Sequence, residues 1–424
     1  MADSATLREV CELIADCPHS TPVWTKAGII VLRNQYIKGG RLDLSDPSYT
    51  DELHYRARTR RATPREGDLV ITREAPMGEV CEIPAGLQCC LGQRMVLLRP
   101  NQSRMHGRFL LYALQSPLVQ HEIRVNEGTG STVSNFRIPL LEALRVPAPP
   151  ISEQRAIAHI LGTLDDKIEL TRRTNETLEA MARALFKSWF VDFDPVRAKA
   201  EERVSHLPGV IADLFPDSFA QSRLGLIPKG WSARSIYEIA EVVYGAPFAS
   251  SQFNTKGVGK PLIRIRDLAD ESPEVRTAEV QSKGYIVKPG DIVVGMDGEF
   301  RSYLWGGEEG WLNQRVCVFA PKLGVSAAFV RNAITQLLAD VESTESATTV
   351  IHIGKSDIDR FLVVIPAQPV LHAFNDFAQP WYDRIVIGKQ ESRTLSLLRD
   401  ALLPKLISGE IRIKDAEQIL GRYI

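Results

Sequence analysis

This 424-residue chain contains an internal repeat, and the repeat limits what it can fold into. Glu66-Gly67-Asp68-Leu69-Val70 returns as Pro289-Gly290-Asp291-Ile292-Val293, and Gln93-Arg94-Met95-Val96 returns as Gln314-Arg315-Val316-Cys317. The distance from Gly-Asp to Gln-Arg is nearly equal in the two halves. Ser131-Thr132-Val133 then matches Thr348-Thr349-Val350, and Val146-Pro147-Ala148 matches Ile365-Pro366-Ala367. Last comes a helical stretch, in which Lys167-Ile168 through Phe186 aligns without a gap on Arg384-Ile385 through Leu403. The unit is about 200 residues, far longer than a solenoid repeat, so the pattern is a duplication of one globular domain plus one helix.

The helical stretch has its own periodicity. Ile157, Leu161, Leu164 and Ile168, then Leu178, Ala182, Leu185 and Trp189, fall alternately four and three apart, the seam of a helix packed along a partner. Thr171 and Asn175 occupy the middle of the seam, where a buried Asn fixes register at some cost in stability. Ile385, Leu395, Leu402 and Leu406 continue the seam in the second copy. Pro380 falls opposite Thr163, just after Gly162, which predicts a break in each helical region with a longer piece beyond it. Those pieces, about 28 residues each, would span roughly 40 Å. They either pack antiparallel as one rigid bar, the arrangement that seam continuity favours, or form two separate bundles.

The fold class expected is α+β: two mixed α/β domains held apart by a pair of long antiparallel, coiled-coil-like helices, with a pseudo-twofold internal repeat. The expected boundaries are a domain over 1–148, a central helical spacer over 149–192, and a connecting segment over 193–230. A second domain over 231–365 and a C-terminal helical spacer and tail over 366–424 complete the chain. The connection is read as extended because it holds Pro195, Pro208, Pro216 and Pro228 with Gly209, Gly225 and Gly230.

Composition excludes several function classes. No run of eighteen apolar residues exists and the N-terminus has no apolar signal core, so no membrane association is expected and the cytoplasm is the expected location. The six cysteines lack paired metal-binding spacing, and no metal site is expected. Gly354-Lys355-Ser356 has the tail of a phosphate-binding loop, but Thr349 stands where its first glycine belongs. Asp46-Pro47-Ser48-Tyr49 resembles an amino-methyltransferase motif with the wrong third residue, and no glycine-rich cofactor loop precedes it. Asp165-Asp166-Lys167 lies in the helical stretch, where solvated i,i+4 pairing is expected. His352 is read as packed or exposed, and no catalytic residue is assigned.

A net charge of −1 leaves any nucleic-acid surface to local patches. One such patch is His54-Tyr55-Arg56-Ala57-Arg58-Thr59-Arg60-Arg61, which suits either a solvated loop or contact with phosphates and guanine edges.

At this point the sequence resembles the specificity (S) subunit of type I restriction-modification systems, over nearly its whole length. The most specific motifs are Pro149-Pro150-Ile151-Ser152-Glu153-Gln154 leading into Ile157-Ala158 and Leu161, and Phe186-Lys187-Ser188-Trp189-Phe190-Val191-Asp192-Phe193. Leu214-Phe215-Pro216-Asp217-Ser218-Phe219 with Gly225 through Trp231, Pro261-Leu262-Ile263-Arg264-Ile265-Arg266-Asp267-Leu268, and Leu403-Pro404-Lys405-Leu406-Ile407-Ser408-Gly409-Glu410-Ile411 add to them. The second copy departs where Leu371-His372 replaces the Glu-Gln pair.

The resemblance implies two target recognition domains, each reading half of a bipartite double-stranded DNA site, with the helices setting the unread spacer. It also implies that the helix pair, through Ile157, Leu161, Leu164, Ile168, Asn175, Leu178, Leu185, Trp189, Ile385, Leu395, Leu402 and Leu406, docks two methyltransferase (M) subunits, with two restriction (R) subunits beyond. This chain would be non-catalytic and hold no cofactor, while S-adenosylmethionine, ATP and Mg would belong to those partners. The DNA-binding candidates are Arg56, Arg58, Arg60, Arg61, Thr129, Ser131 and Thr132 in the first domain. In the second they are Lys256, Arg264, Arg266, Arg301, Thr348 and Thr349, with Arg264 and Arg266 read as alternating on a strand with Ile263 and Ile265. The competing readings are a scaffold that binds no DNA and a self-sufficient methyltransferase or restriction enzyme.

Overall fold

A computed structural model describes residues 3–126, 135–204, 207–345 and 352–423. They form two compact units, one of residues 1–167 with 395–424 and the other of residues 168–394.

In the first unit, strands Cys11–Asp16, Met95–Pro100, Leu69–Thr72 and Val80–Glu82 form a four-stranded antiparallel sheet in that order. Strand Ile29–Leu32 runs parallel to Cys89–Leu91 and antiparallel to Ser48–Thr50. Ser4–Thr6 closes the unit by pairing with Arg145–Pro147. Leu69, Val70 and Ile71 are all buried, so this strand is covered on both faces, as its unbroken apolar run requires.

The second unit repeats that topology. Strands Ala240–Tyr244, Val316–Pro321, Ile292–Gly295 and Ser302–Leu304 form the matching antiparallel sheet. Lys260–Ile263 runs parallel to Gly310–Leu312, and Ser232–Ser235 pairs with Leu362–Ile365. Helix Ala327–Glu345 stands where the first unit has Gly107–Gln115 and Pro117–Val125.

The Gly-Asp motif that announces the repeat is a turn. Gly67 and Gly290 sit at φ +80° and +98°, a backbone that favours a residue without Cβ. The aspartate after each closes the turn: Arg65 N donates to Asp68 Oδ2 at 2.9 Å, and Lys288 N donates to Asp291 Oδ2 at 2.8 Å.

Two helices carry the seam, Ile151–Phe190 of 40 residues and Gln368–Ser408 of 41. Neither breaks, which corrects the expectation at Gly162-Thr163 and Pro380. A proline inside a helix costs about 3 kcal/mol, and burial of Ala378, Tyr382 and Ile385 around it offsets that cost. Gly162 instead makes room: a Cβ there would lie 2.8 Å from Arg108 Nη1, and Arg108 reaches past it to Asp166, Nη2 to Oδ1 2.6 Å. The expectation that Asp165 and Asp166 are merely solvated is also corrected, since Asp165 accepts from the Tyr112 hydroxyl and from Arg399 Nη1, both at 2.7 Å.

Within the second unit the helices run antiparallel, with Phe186 against Phe374 and the Asn175-Thr171 face against Gly388. A Cβ at Gly388 would lie 2.7 Å from Asn175 Oδ1 and 2.9 Å from Thr171 Cγ2. Glycine costs a helix about 1 kcal/mol against alanine, yet the notch it leaves is filled. Gly388→Val is therefore expected to lower stability by about 1–3 kcal/mol despite its better helix propensity, measured as the urea midpoint. An unchanged midpoint would mean the helices do not approach at this point.

The connection is not extended. Asp194–Ala200 is helical, Phe219–Ser222 pairs with Gly225–Pro228, and Phe193, Phe215, Ile227 and Trp231 join the aromatic core around Phe186, Trp189 and Phe190. Prolines here start helices and turn corners, because apolar side chains every few residues give the segment a core to pack against.

Candidate nucleic-acid interface

The basic run forms helix Glu52–Arg58 and not a loop, because Asp51 caps it, accepting from His54 N at 2.8 Å. The helix sorts its arginines. Arg56 projects into solvent and pairs with Glu52, and Arg60 and Arg61 are exposed just beyond the helix end.

Arg58 turns inward and is buried. Its Nε donates to Leu91 O at 2.9 Å, Nη1 to Ser20 O at 3.0 Å, and Nη2 to Gly92 O at 2.9 Å and Pro18 O at 3.2 Å. Burial pulls the guanidinium below the ordinary arginine value. Arg58 thus ties the 18–20 segment to the turn at 91–92, and its donors are spent before any DNA arrives.

In the second unit Lys256 is exposed in a turn where its own N donates to Asn254 Oδ1. The strand Lys260–Ile263 ends before Arg264, and Ile265–Asp267 is a single 3-10 turn, so Arg264 and Arg266 do not alternate on a strand. Arg264 grips Asp267 through Nε at 2.9 Å and Nη2 at 3.1 Å, which commits it to the turn, whereas Arg266 is exposed. Arg301 is exposed beside Glu299. Thr129, Ser131, Thr132, Thr348 and Thr349 lie outside the described residues.

The seam candidates Ile157, Leu161, Leu164, Ile168, Trp189, Ile385, Leu395, Leu402 and Leu406 are buried by this chain, and Asn175, Leu178 and Leu185 are half-buried. The nine buried side chains are packed within this chain, while Asn175, Leu178 and Leu185 keep part of their surface open.

One functional pair of amides was not read from the sequence. Gln154 is buried; its Oε1 accepts from His106 N at 2.8 Å and its Nε2 donates to Arg104 O at 3.0 Å and Pro149 O at 2.8 Å. In the second unit Asn375 makes the same clamp: Oδ1 accepts from Ser326 N at 3.2 Å, and Nδ2 donates to Gly324 O at 2.9 Å. The missing Glu-Gln pair at Leu371-His372 is answered by an amide one helical turn later. The signal lay in the sequence, but setting Leu371-His372 against Glu153-Gln154 hides it, because the second amide sits one helical turn further on.

Burial pushes the thiols of Cys11, Cys89 and Cys317 up to about 12 and that of Cys90 up to about 11, values at which the nucleophilic thiolate is scarce. Among the described residues no three His, Cys, Asp or Glu side chains are grouped to hold a metal ion, and no helix is long and apolar enough to cross a membrane.

Two copies of one mixed sheet scaffold, each presenting arginines from turns and helix ends, define a duplicated two-domain protein. The family described as "Type I restriction modification DNA specificity domain" matches residues 5–180 and 228–371. The chain belongs to that family and is a specificity subunit of a type I restriction-modification system. Similar proteins include the type I restriction enzyme MjaIX specificity subunit of Methanocaldococcus jannaschii, 26% identical over 362 residues, covering 82% of this chain and 79% of the relative. The HindI specificity subunit of Haemophilus influenzae is 24% identical over 371 residues, 75% of this chain and 80% of the relative. The crystal structure of an S subunit from M. genitalium shares the fold over 96% of each chain, with a TM-score of 0.55 and 17% identity.

Proposed function

We propose that the two units each read one half of a bipartite DNA site, and that this chain supplies sequence choice while its partners supply the chemistry. The observation that carries this reading is the duplicated topology, the same sheet order and parallel strand pair built twice in one chain of a DNA specificity family. Two readers in one polypeptide make the second contact intramolecular, which multiplies affinity without new contacts.

The exposed basic side chains Arg56, Arg60 and Arg61 of the first unit and Lys256, Arg266 and Arg301 of the second are the proposed DNA contacts. A base-reading arginine replaced by alanine costs about 1–3 kcal/mol at one base position, and a phosphate-binding one weakens all sequences alike. The methyltransferase subunits would dock on apolar side chains that the long helices leave exposed, among them Leu170, Met181, Phe377 and Ile387 in the second unit and Leu397 in the first. S-adenosylmethionine, ATP and Mg would be held by those partners and by restriction subunits.

Mapping methylated adenines across the genome in cells with and without this chain tests the reading. A two-part motif methylated only when the chain is present is expected. Identical methylation in both strains would contradict it.

A further inference from the structure

The two copies share more than a scaffold. In the first unit Arg73 N donates to Arg94 O at 2.8 Å, and Phe136 N donates to Arg73 O at 3.0 Å. In the second, Met296 N donates to Arg315 O and Ile353 N to Met296 O, both at 2.9 Å. This backbone ladder equates Arg94 with Arg315, Glu74 with Asp297 and Asn135 with His352.

The side chains at these positions form the same cluster twice. Arg94 Nε lies 3.2 Å from Glu74 Oε2, and Asn135 Nδ2 donates to Glu74 Oε1 at 2.9 Å. Arg315 Nη1 lies 3.1 Å from Asp297 Oδ1, and His352 Nδ1 is 2.6 Å from the same oxygen. In each copy the carboxylate is mostly covered, 20% and 23% exposed, and the arginine is half open, 50% and 54%.

We propose that Arg94 and Arg315 grip the phosphate backbone of DNA, one contact made at the equivalent position of each copy; this rests on the DNA-reading function proposed above. Three observations lead there. Around the arginine every other member of the cluster has changed between copies: Glu74 to Asp297, Asn135 to His352, and Arg73 to Met296. A partly exposed ion pair adds little to stability, too little to account for the one side chain kept. The backbone of Arg94, though not that of Arg315, is left-handed at φ +67°, where glycine or asparagine would be less strained, so in the first copy the side chain is retained against a local cost.

The contact is with phosphate because of what two readers have in common. Two recognition units that read different half-sites meet different base edges, so a side chain kept at one position in both must face the part of the duplex that does not change with sequence. The carboxylate engages a single nitrogen of each guanidinium, Nε of Arg94 and Nη1 of Arg315. It orients the fork while other N–H donors remain for a phosphate oxygen.

The test uses the full chain in its native complex and two duplexes of equal length, one carrying the motif found by methylation mapping and one scrambled, titrated over a range of salt. R94A/R315A is expected to weaken binding to both duplexes by the same factor and to flatten the slope of log K against log salt by about 0.9 for each lost phosphate contact. R94K/R315K should keep the wild-type slope, and R94Q/R315Q, which can still hydrogen-bond to the carboxylates, should lose it. H352N, which gives the second cluster the residue of the first, should bind as wild type.

Loss confined to the motif duplex would make these arginines base readers and overturn the proposal. An unchanged slope in the Gln variant would reduce the clusters to structural ion pairs and overturn it as well. A wild-type complex that binds neither duplex would instead defeat the DNA-reading function itself. Should R94A/R315A lose its thermal transition, the comparison of the Lys and Gln variants carries the decision.

Discussion

Arg58→Ala is expected to destabilise the first unit by about 3–5 kcal/mol, although this arginine sits in the most basic stretch of the chain. The substitution strands four carbonyl acceptors, Pro18 O, Ser20 O, Leu91 O and Gly92 O, and empties the space of a long side chain. Leu91 O and Gly92 O are buried and incur the full desolvation cost when unpaired, whereas Pro18 O and Ser20 O are part-buried and cost less. Arg58→Lys should rescue little, because an ammonium cannot span carbonyls that a planar fork reaches on separate segments. Hydrogen exchange at the Leu69–Thr72 amides measures the effect in this unit alone. Arg56→Ala, by contrast, should change stability by no more than about 0.5 kcal/mol, since its pairing with Glu52 is exposed. Equal protection in the two variants would place Arg58 outside the core.

The amide clamps give the second large effect. Gln154→Ala leaves His106 N, Arg104 O and Pro149 O without their partner and is expected to cost about 2–4 kcal/mol. Asn375→Ala should cost its own unit about 1–3 kcal/mol, because it serves only Ser326 N and Gly324 O in the same way. Each clamp fixes the start of a helix on the recognition sheet to a long helix, so its loss should also loosen that helix. Urea denaturation of each variant, with exchange read separately at Phe109–Leu114 and Phe329–Ile334, distinguishes the two units. If Asn375→Ala costs nothing while Gln154→Ala costs several kcal/mol, the two amides are not equivalent.

The duplication was legible because its markers are local. Gly67 and Gly290 are held at positive φ, and the aspartates after them close the same turn, so few residues can substitute. Seam periodicity likewise placed both long helices, since burial along a partner repeats every three or four residues.

What failed to show in the sequence depends on tertiary context. A proline and a glycine normally end helices, but Pro380 is outweighed by buried neighbours and Gly162 is a recess for Arg108. Proline and glycine spacing also hid the packing of residues 193–230, whose Phe193 and Phe215 belong to the aromatic core. A row of arginines gives no sign of which one turns inward; that is decided by the carbonyls waiting on 18–20 and 91–92. Arg94 and Arg315 were visible from the start as repeat markers, but their partners Glu74 and Asp297 come into range only when the strands are paired.

The central claim is that each unit reads its own half of one DNA site. The direct measurement is selection of bound sequences from a random duplex library by the native complex, repeated after residues 231–365 are exchanged for the matching segment of another family member. Two specified blocks separated by a fixed number of unspecified bases are expected, with one block changed by the exchange and the other retained. A single continuous motif, or an exchange that alters both blocks together, would contradict the account.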